Sequence, residues 1–193
     1  VRNDIAPLGQ GKGDALLMVD CVTSVAGIAV EIDAWGVDVA YAGTQKCLGV
    51  PPGLAPFTAS EAAMARRRER PSSWYLDLGM IARYVTGDGG RAYHHTAPIS
   101  MVYALHAGLG VVLDEGLEQG WARHEACGTA LQDGLEAMGL ELFAEAGHRL
   151  PQLTSVRIPT ERLVDGLNEA AARRRLLDRW GMEVGGGLGP VAG

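Results

Sequence analysis

The chain is poor in cysteine: three residues, Cys21, Cys47 and Cys127, odd in number and widely spaced. No C-x-x-C pair occurs, which argues against a disulfide scaffold, a thiolate metal site or a dithiol redox centre. Reduced thiols of a cytosolic protein fit this usage best, so the location read from it is cytoplasmic. Long apolar runs are also missing. None approaches the roughly 20 residues needed to span a bilayer. The first residues, VRNDIAPLGQGKGD, contain no apolar stretch of the kind a secretory signal carries. Positive charge is in deficit, with 17 Lys+Arg against 23 Asp+Glu and a net charge of −6. Nucleic acid and anionic membrane surfaces both require a basic face, so neither is expected as a partner.

What the chain has is a sizeable apolar fraction, 47% of 193 residues, enough for one large or two small domains. Its 27 glycines follow no short period and cluster at turns, as in an α/β chain. The stretch from Leu16 to Gly53 organises the rest. One apolar run ends in a carboxylate, Asp20. A second ends in a lysine, Lys46, followed by a Pro-Pro-Gly loop. Short apolar runs bounded by turn residues read as strands buried on both faces of a parallel sheet. Ligands of such sheets sit outside the carboxyl ends of the strands, where Asp20 and Lys46 fall. A carboxylate and an amine there match the needs of pyridoxal 5'-phosphate. The amine forms a Schiff base with the aldehyde, and the carboxylate keeps the pyridinium nitrogen protonated. Taken singly, each residue has a plainer reading, Asp20 as a turn or helix cap and Lys46 as a solvated loop lysine.

The surrounding residues carry a resemblance. VDCVTSVAGIAVEIDAWGVDVAYAGTQKCLGVPPG combines D-x-V-x-S, G-T-Q-K and P-P-G. It resembles the cofactor segment of class V aminotransferases, and more narrowly the alanine/serine–glyoxylate (serine–pyruvate) group, which includes ureidoglycine–glyoxylate enzymes. The likeness continues through AYHHTAPIS to GGLGP, nearly the whole chain. It implies the α/β fold of fold-type I pyridoxal-phosphate transferases. Residues 1–115 would be the C-terminal part of the large mixed/parallel-sheet domain, and 116–193 most of a small C-terminal α/β domain. It implies an aminotransferase moving an amino group from a small amino acid (alanine, serine or ureidoglycine) to a 2-oxo acid, glyoxylate first. It further implies that part of the large domain precedes Val1. A last strand and helix, with the arginine that grips the substrate carboxylate, would follow Gly193. The chain thus reads as a fragment of a longer enzyme.

The same resemblance assigns roles. Lys46 binds the cofactor and shuttles the proton in catalysis, Asp20 pairs with the ring nitrogen, and Val22 packs on the ring. Gln45, Tyr93 and Thr96 hold the phosphate. Tyr93 and Thr96 reach it across a dimer interface, so a homodimer with a shared site is expected. Cysteine desulfurases of the same fold carry His before the lysine. Gln45 cannot relay protons, which favours transamination over a desulfurase-like lyase. A non-catalytic fragment is the other alternative. His94 and His95 are adjacent and no matching ligand array follows, so no metal is expected.

Elsewhere, Gly-rich GQGKGD lacks the Ser/Thr of a phosphate loop, so Lys12 is read as a surface-turn residue. Strands are expected over 15–20, 37–42 and 54–58. Ser60 should cap a helix over 62–70 that Pro71 stops. Further helices are expected over 74–85, 99–113 and 117–138, with Gly116 as bend and domain boundary. Thr96 and Pro98 have the pattern of a helix start. A β-β-α-β tail is expected: strands 140–143 and 153–158, a helix from Thr160 to Trp180, and a strand 182–184 before GGGLG.

Overall fold

A computed structural model describes residues 1–87, 90–159 and 168–187. Three short strands form one sheet in the order β1-β2-β3: β1 (Met18–Asp20), β2 (Val39–Tyr41) and β3 (Phe57–Ala59). β1 and β2 are parallel, with Met18 opposite Val39 and Asp20 opposite Tyr41. β3 returns antiparallel to β2, with Tyr41 opposite Phe57. Helices α1 (Ala6–Gly11), α2 (Glu61–Ala65), α3 (Leu78–Thr86), α4 (Ile99–Glu115), α5 (Leu117–Ala137) and α6 (Glu169–Trp180) complete the described elements. No described helix is long and apolar enough to cross a membrane.

The two strands that carry the site differ in burial. β2 fits the expectation of a strand covered on both faces: Val37, Asp38, Val39, Ala40 and Ala42 are all buried. β1 does not. Met18 is 64% exposed, and Asp20 is exposed with it, while Val19 and Cys21 turn to the other side. The side-chain period of 2 sends alternate residues to opposite faces. Among the described residues only the Val19–Cys21 face of β1 meets the core. That core gathers Cys21, Val37 and Ala40 with Ile5, Leu17, Val25, Ile32 and Trp35 packed against them.

Asp38, buried at the start of β2, ties four elements together. Its carboxylate pairs with Lys12 at the end of α1 and accepts from Leu17 N at 2.8 Å, just before β1. Ser60 Oγ donates to it at 3.0 Å while also capping α2 by accepting from Ala63 N. Lys12 Nζ donates further to Gly36 O at 2.7 Å. Lys12 is thus more than a surface-turn residue, since it holds the buried charge of Asp38. The cluster locks the amino-terminal edge of the parallel pair, opposite the edge that carries Asp20.

Several boundaries move, each for a local reason. α2 ends at Ala65 rather than Arg70; the Arg67 guanidinium takes the Met64 carbonyl at 2.8 Å and closes the turn. α3 starts at Leu78 with Asp77 as cap, because Trp74 stacks on His94 and Tyr75 packs at a tilt against His95 instead. Thr96 caps nothing: Pro98 precedes α4 and the Thr96 hydroxyl bonds Tyr93. Gly116, at φ 86°, makes the bend between α4 and α5. The strands over 140–143 and 153–158 shrink to isolated antiparallel bridges, Leu142 with Val156 and Leu150 with Leu153. α6 begins at Glu169, with Asn168 as its cap. The expected helical residues 160–167 and the end of GGGLG from Leu188 lie outside the described residues, as do 88–89 of the loop at Gly87–Gly90. Residues 182–184 form no strand; Met182 and Val184 are exposed and find no described strand to pair with.

Candidate active site

Parallel neighbours end together, so β1 and β2 deliver Asp20 and the segment after Tyr41 to one edge of the sheet. Past Asp20 the chain turns tightly. Ser24 N and Val25 N both bond Cys21 O, and Gly27 N bonds Ser24 O. Ala26 sits in this turn at φ 69°, the left-handed region where a side chain is strained. Past Tyr41 the chain runs through Gly43, Thr44 and Gln45 to Lys46.

The lysine loop is pinned by Thr44. Its side chain has 0% exposure, and its Oγ1 lies 3.0 Å from Pro51 O and 3.2 Å from Leu54 O. Val50 N closes back onto Thr44 O at 3.1 Å and Gly49 N onto Lys46 O at 2.9 Å. Pro51 and Pro52 restrict the loop, but the hydroxyl of Thr44 is what fastens it. α4 lies behind. A Cβ at Gly53 would stand 3.1 Å from Met101 Cγ, and one at Gly108 2.9 Å from Leu48 O.

Asp20, Val22 and Lys46 line one open cleft of about 1040 Å³, together with Leu17, Ser24 and Trp35. Lys46 is exposed into it, not buried, and makes no ion pair with any described residue. Both Asp20 oxygens are engaged: Val22 N donates to Oδ1 at 2.9 Å and Tyr41 O–H to Oδ2 at 3.0 Å. Gln45 does not line the cleft but comes close to Val22 across Gly43. A Cβ at Gly43 would meet Gln45 Oε1 at 2.9 Å and Val22 Cγ1 at 3.3 Å. Only a residue without a side chain leaves that space open.

The neighbouring thiols stay protonated. Burial, then the charge of Asp20, pushes the Cys21 thiol up. Burial also pushes Cys47 up, against the opposing charge of Lys46, and its Sγ lies 3.6 Å from Thr23 O. Neither is poised as a nucleophile.

Tyr93 and Thr96 are set apart. They pair with each other, O–H to Oγ1 at 2.8 Å, and Tyr93 is 69% exposed. Neither lines the cleft that holds Asp20 and Lys46. His94, between them, is 2% exposed and stacks on Trp74 at 4.3 Å. Its Nε2 faces Trp74 O at 2.9 Å and its Nδ1 faces His95 Nδ1 at 2.7 Å. Both ring nitrogens therefore serve the fold. Tyr41 has no sequence signal as a site residue, and Thr44 has only its place in G-T-Q-K. Their roles come from strand register and loop closure.

Known proteins resemble this chain in sequence and fold. The model of the family "Aminotransferase class-V" matches residues 1–182. The chain is 38% identical to an alanine–glyoxylate aminotransferase of Callithrix jacchus, over 92% of this chain and 43% of that protein. It is 37% identical to an (S)-ureidoglycine–glyoxylate transaminase of Bacillus subtilis, over 93% of this chain and 47% of that protein. Among solved structures, an alanine–glyoxylate aminotransferase from Nostoc sp. superposes with a TM-score of 0.85 at 44% identity, over 100% of this chain and 50% of that one. The chain thus spans about half the length of the curated relatives it matches.

Proposed function

This chain belongs to the class-V aminotransferases, and on that premise we propose that it forms the lysine-bearing part of a pyridoxal-phosphate-dependent aminotransferase. Its α/β architecture is part of the fold-type I arrangement. The amino donor is a small amino acid, alanine, serine or ureidoglycine, and the acceptor is a 2-oxo acid, glyoxylate first. The names of the relatives support that choice.

One observation carries the proposal: a carboxylate and an unpaired amine share one cleft at the carboxyl edge of two parallel strands. The residues fit the cofactor. Asp20 offers an acceptor to a ring N–H, and Lys46 an amine to an aldehyde. Gly43 keeps open a cradle between Val22 and Gln45 that any Cβ would fill. When bound, pyridoxal phosphate supplies an aldehyde that captures an amine and a ring that takes up the electron pair left when a Cα–H bond breaks.

The chain's own residues do the rest. Asp20 holds the ring nitrogen in its charged form. Val22 gives the ring an apolar floor. Lys46 Nζ anchors the cofactor and, when free, takes up the proton from the donor's α-carbon. Gln45 donates to phosphate oxygen and has no proton to relay, which sets it apart from a desulfurase. Tyr93 and Thr96 serve the phosphate of a second copy. In support, both are exposed and lie off their own chain's cleft. A homodimer with shared sites follows. The large-domain part ends at the Gly116 bend, with the small domain beyond. The unpaired cysteines fit a cytoplasmic enzyme.

The test is the absorption spectrum of the full-length protein supplied with pyridoxal phosphate, with and without Lys46→Ala. Serine, alanine and ureidoglycine are then added in turn with glyoxylate. A Lys46-dependent band near the visible edge that shifts with one donor is expected. A folded protein with no such band overturns the proposal.

A further inference from the structure

Asp20 is the one carboxylate of the cleft held from two sides by donors of its own fold. Val22 N reaches Oδ1 at 2.9 Å from the turn that follows the strand. Tyr41 O–H reaches Oδ2 at 3.0 Å from the neighbouring strand. The parallel register sets that second contact directly, since Asp20 stands opposite Tyr41. Asp20 itself is exposed, at the end of a strand that forms the sheet edge among the described residues. A carboxylate so placed, without donors, would rotate among several rotamers and present its oxygens in many directions. Two donors on two oxygens stop that rotation. Each oxygen still has acceptor capacity, because an ionised carboxylate offers about four lone-pair sites.

We propose that Tyr41 is a positioning residue for Asp20: its hydroxyl locks the carboxylate in the orientation that presents a free lone pair to a protonated ring nitrogen in the cleft. This rests on the reading of Asp20 as the partner of that nitrogen. Tyr41 is not among the residues that line the cleft, which separates its role from that of Asp20. The phenol remains a donor throughout the working range. The hydrogen bond to Asp20 first, then burial, pushes its ionisation above the ordinary value of 10.0. An acceptor ordered before its ligand arrives binds more tightly than one that must be ordered on binding.

The experiment is a double-mutant cycle on cofactor affinity, read by quenching of tryptophan fluorescence as pyridoxal phosphate is titrated into the full-length apoprotein. Binding is thereby measured apart from turnover. Tyr41→Phe keeps the ring and removes only the hydroxyl, and its Kd should rise about tenfold, the scale of one hydrogen bond to a charged group. In an Asp20→Ala background the same substitution should change Kd by less than about twofold, since the group it acts through is gone. Equal losses in both backgrounds would overturn the inference and assign Tyr41 to packing. No loss in Tyr41→Phe, with Asp20→Ala binding weakly, would overturn it while leaving the role of Asp20 intact. Unchanged binding in Asp20→Ala would overturn the reading of Asp20 and this inference with it. Should Tyr41→Phe fold poorly, a fluorinated tyrosine at position 41 retains the ring and strengthens the donor. Tighter binding then supports the inference, and unchanged binding overturns it.

Discussion

Two glycines in α4, Gly108 and Gly110, should respond to alanine with opposite signs. Both gain helix propensity, about 1 kcal/mol for Gly→Ala in a helix interior. Around Gly110 a new methyl meets nothing within 4 Å, so the gain stands. At Gly108 the methyl runs into Val50 Cγ1 and stands 2.9 Å from Leu48 O, nearer than Cβ atoms come to a carbonyl. Neither neighbour can step aside cheaply. Val50 is β-branched and stiff at χ1, and the Leu48 oxygen is backbone inside the loop that Thr44 pins. Overpacking of this kind costs about 1–3 kcal/mol. Subtracting the propensity gain leaves Gly108→Ala neutral to about 2 kcal/mol destabilised, while Gly110→Ala is about 1 kcal/mol stabilised. A separation of about 2 kcal/mol corresponds to about 2–4 °C in melting temperature for a full-length protein about twice the size of this chain. Thermal melts of the full-length variants, followed by circular dichroism, measure it. The new methyl at Gly108 presses on Leu48 and Val50 of the Lys46 loop, so Gly108→Ala should also bind pyridoxal phosphate more weakly than Gly110→Ala. If Gly108→Ala melts at or above Gly110→Ala, α4 is not seated on that loop and the packing argument fails.

Two further expectations concern the fold around the site. Thr44→Val keeps the shape and removes the hydroxyl that faces the Pro51 and Leu54 carbonyls. Losing this part-buried hydrogen bond should lower stability by about 0.5–1.5 kcal/mol, seen as a lower urea midpoint at unchanged slope. An unchanged midpoint would mean that the hydroxyl does not fasten the loop. The second concerns acid. The hydrogen bond from Lys12, with a further one from Leu17 N, holds the Asp38 carboxyl at about 2, below its ordinary 3.8. A depressed carboxyl binds its proton less readily folded than unfolded. Its contribution is therefore full above 3.8 and fades as pH falls towards about 2. Lys12→Met should lower stability at neutral pH and flatten the stability profile across that window. Urea titrations at stepped pH would show it, and a parent-like profile would refute it.

Much of the site was legible because its chemistry sits in short contiguous segments. Asp20 closes one apolar run and Lys46 follows another, and the spacing of D-x-V-x-S, G-T-Q-K and P-P-G is local to the chain. The order of strands and helices was also legible, since apolar runs and caps such as Ser60 act within a few residues. Errors arose where a local pattern competed with a distant contact. Trp74 and Tyr75 carry a helical pattern, yet Trp74 stacks on His94 and Tyr75 packs against His95, so α3 starts late. Lys12 lies in a glycine-rich turn whose exposure seemed assured, until Asp38, 26 residues on, claims it.

By itself the sequence determined which groups exist and roughly where each element begins: an acid after one strand, an amine after the next, and the family that uses both. Tertiary structure decided how those groups are held. Pairing β1 beside β2 in parallel put Tyr41 opposite Asp20 and brought Asp20 and Lys46 to one cleft. Loop closure assigned Thr44 to fasten the lysine segment. The physical reason is that register and burial are properties of pairs of segments. A hydrogen bond across 21 residues, such as Tyr41 to Asp20, has no trace in either segment alone.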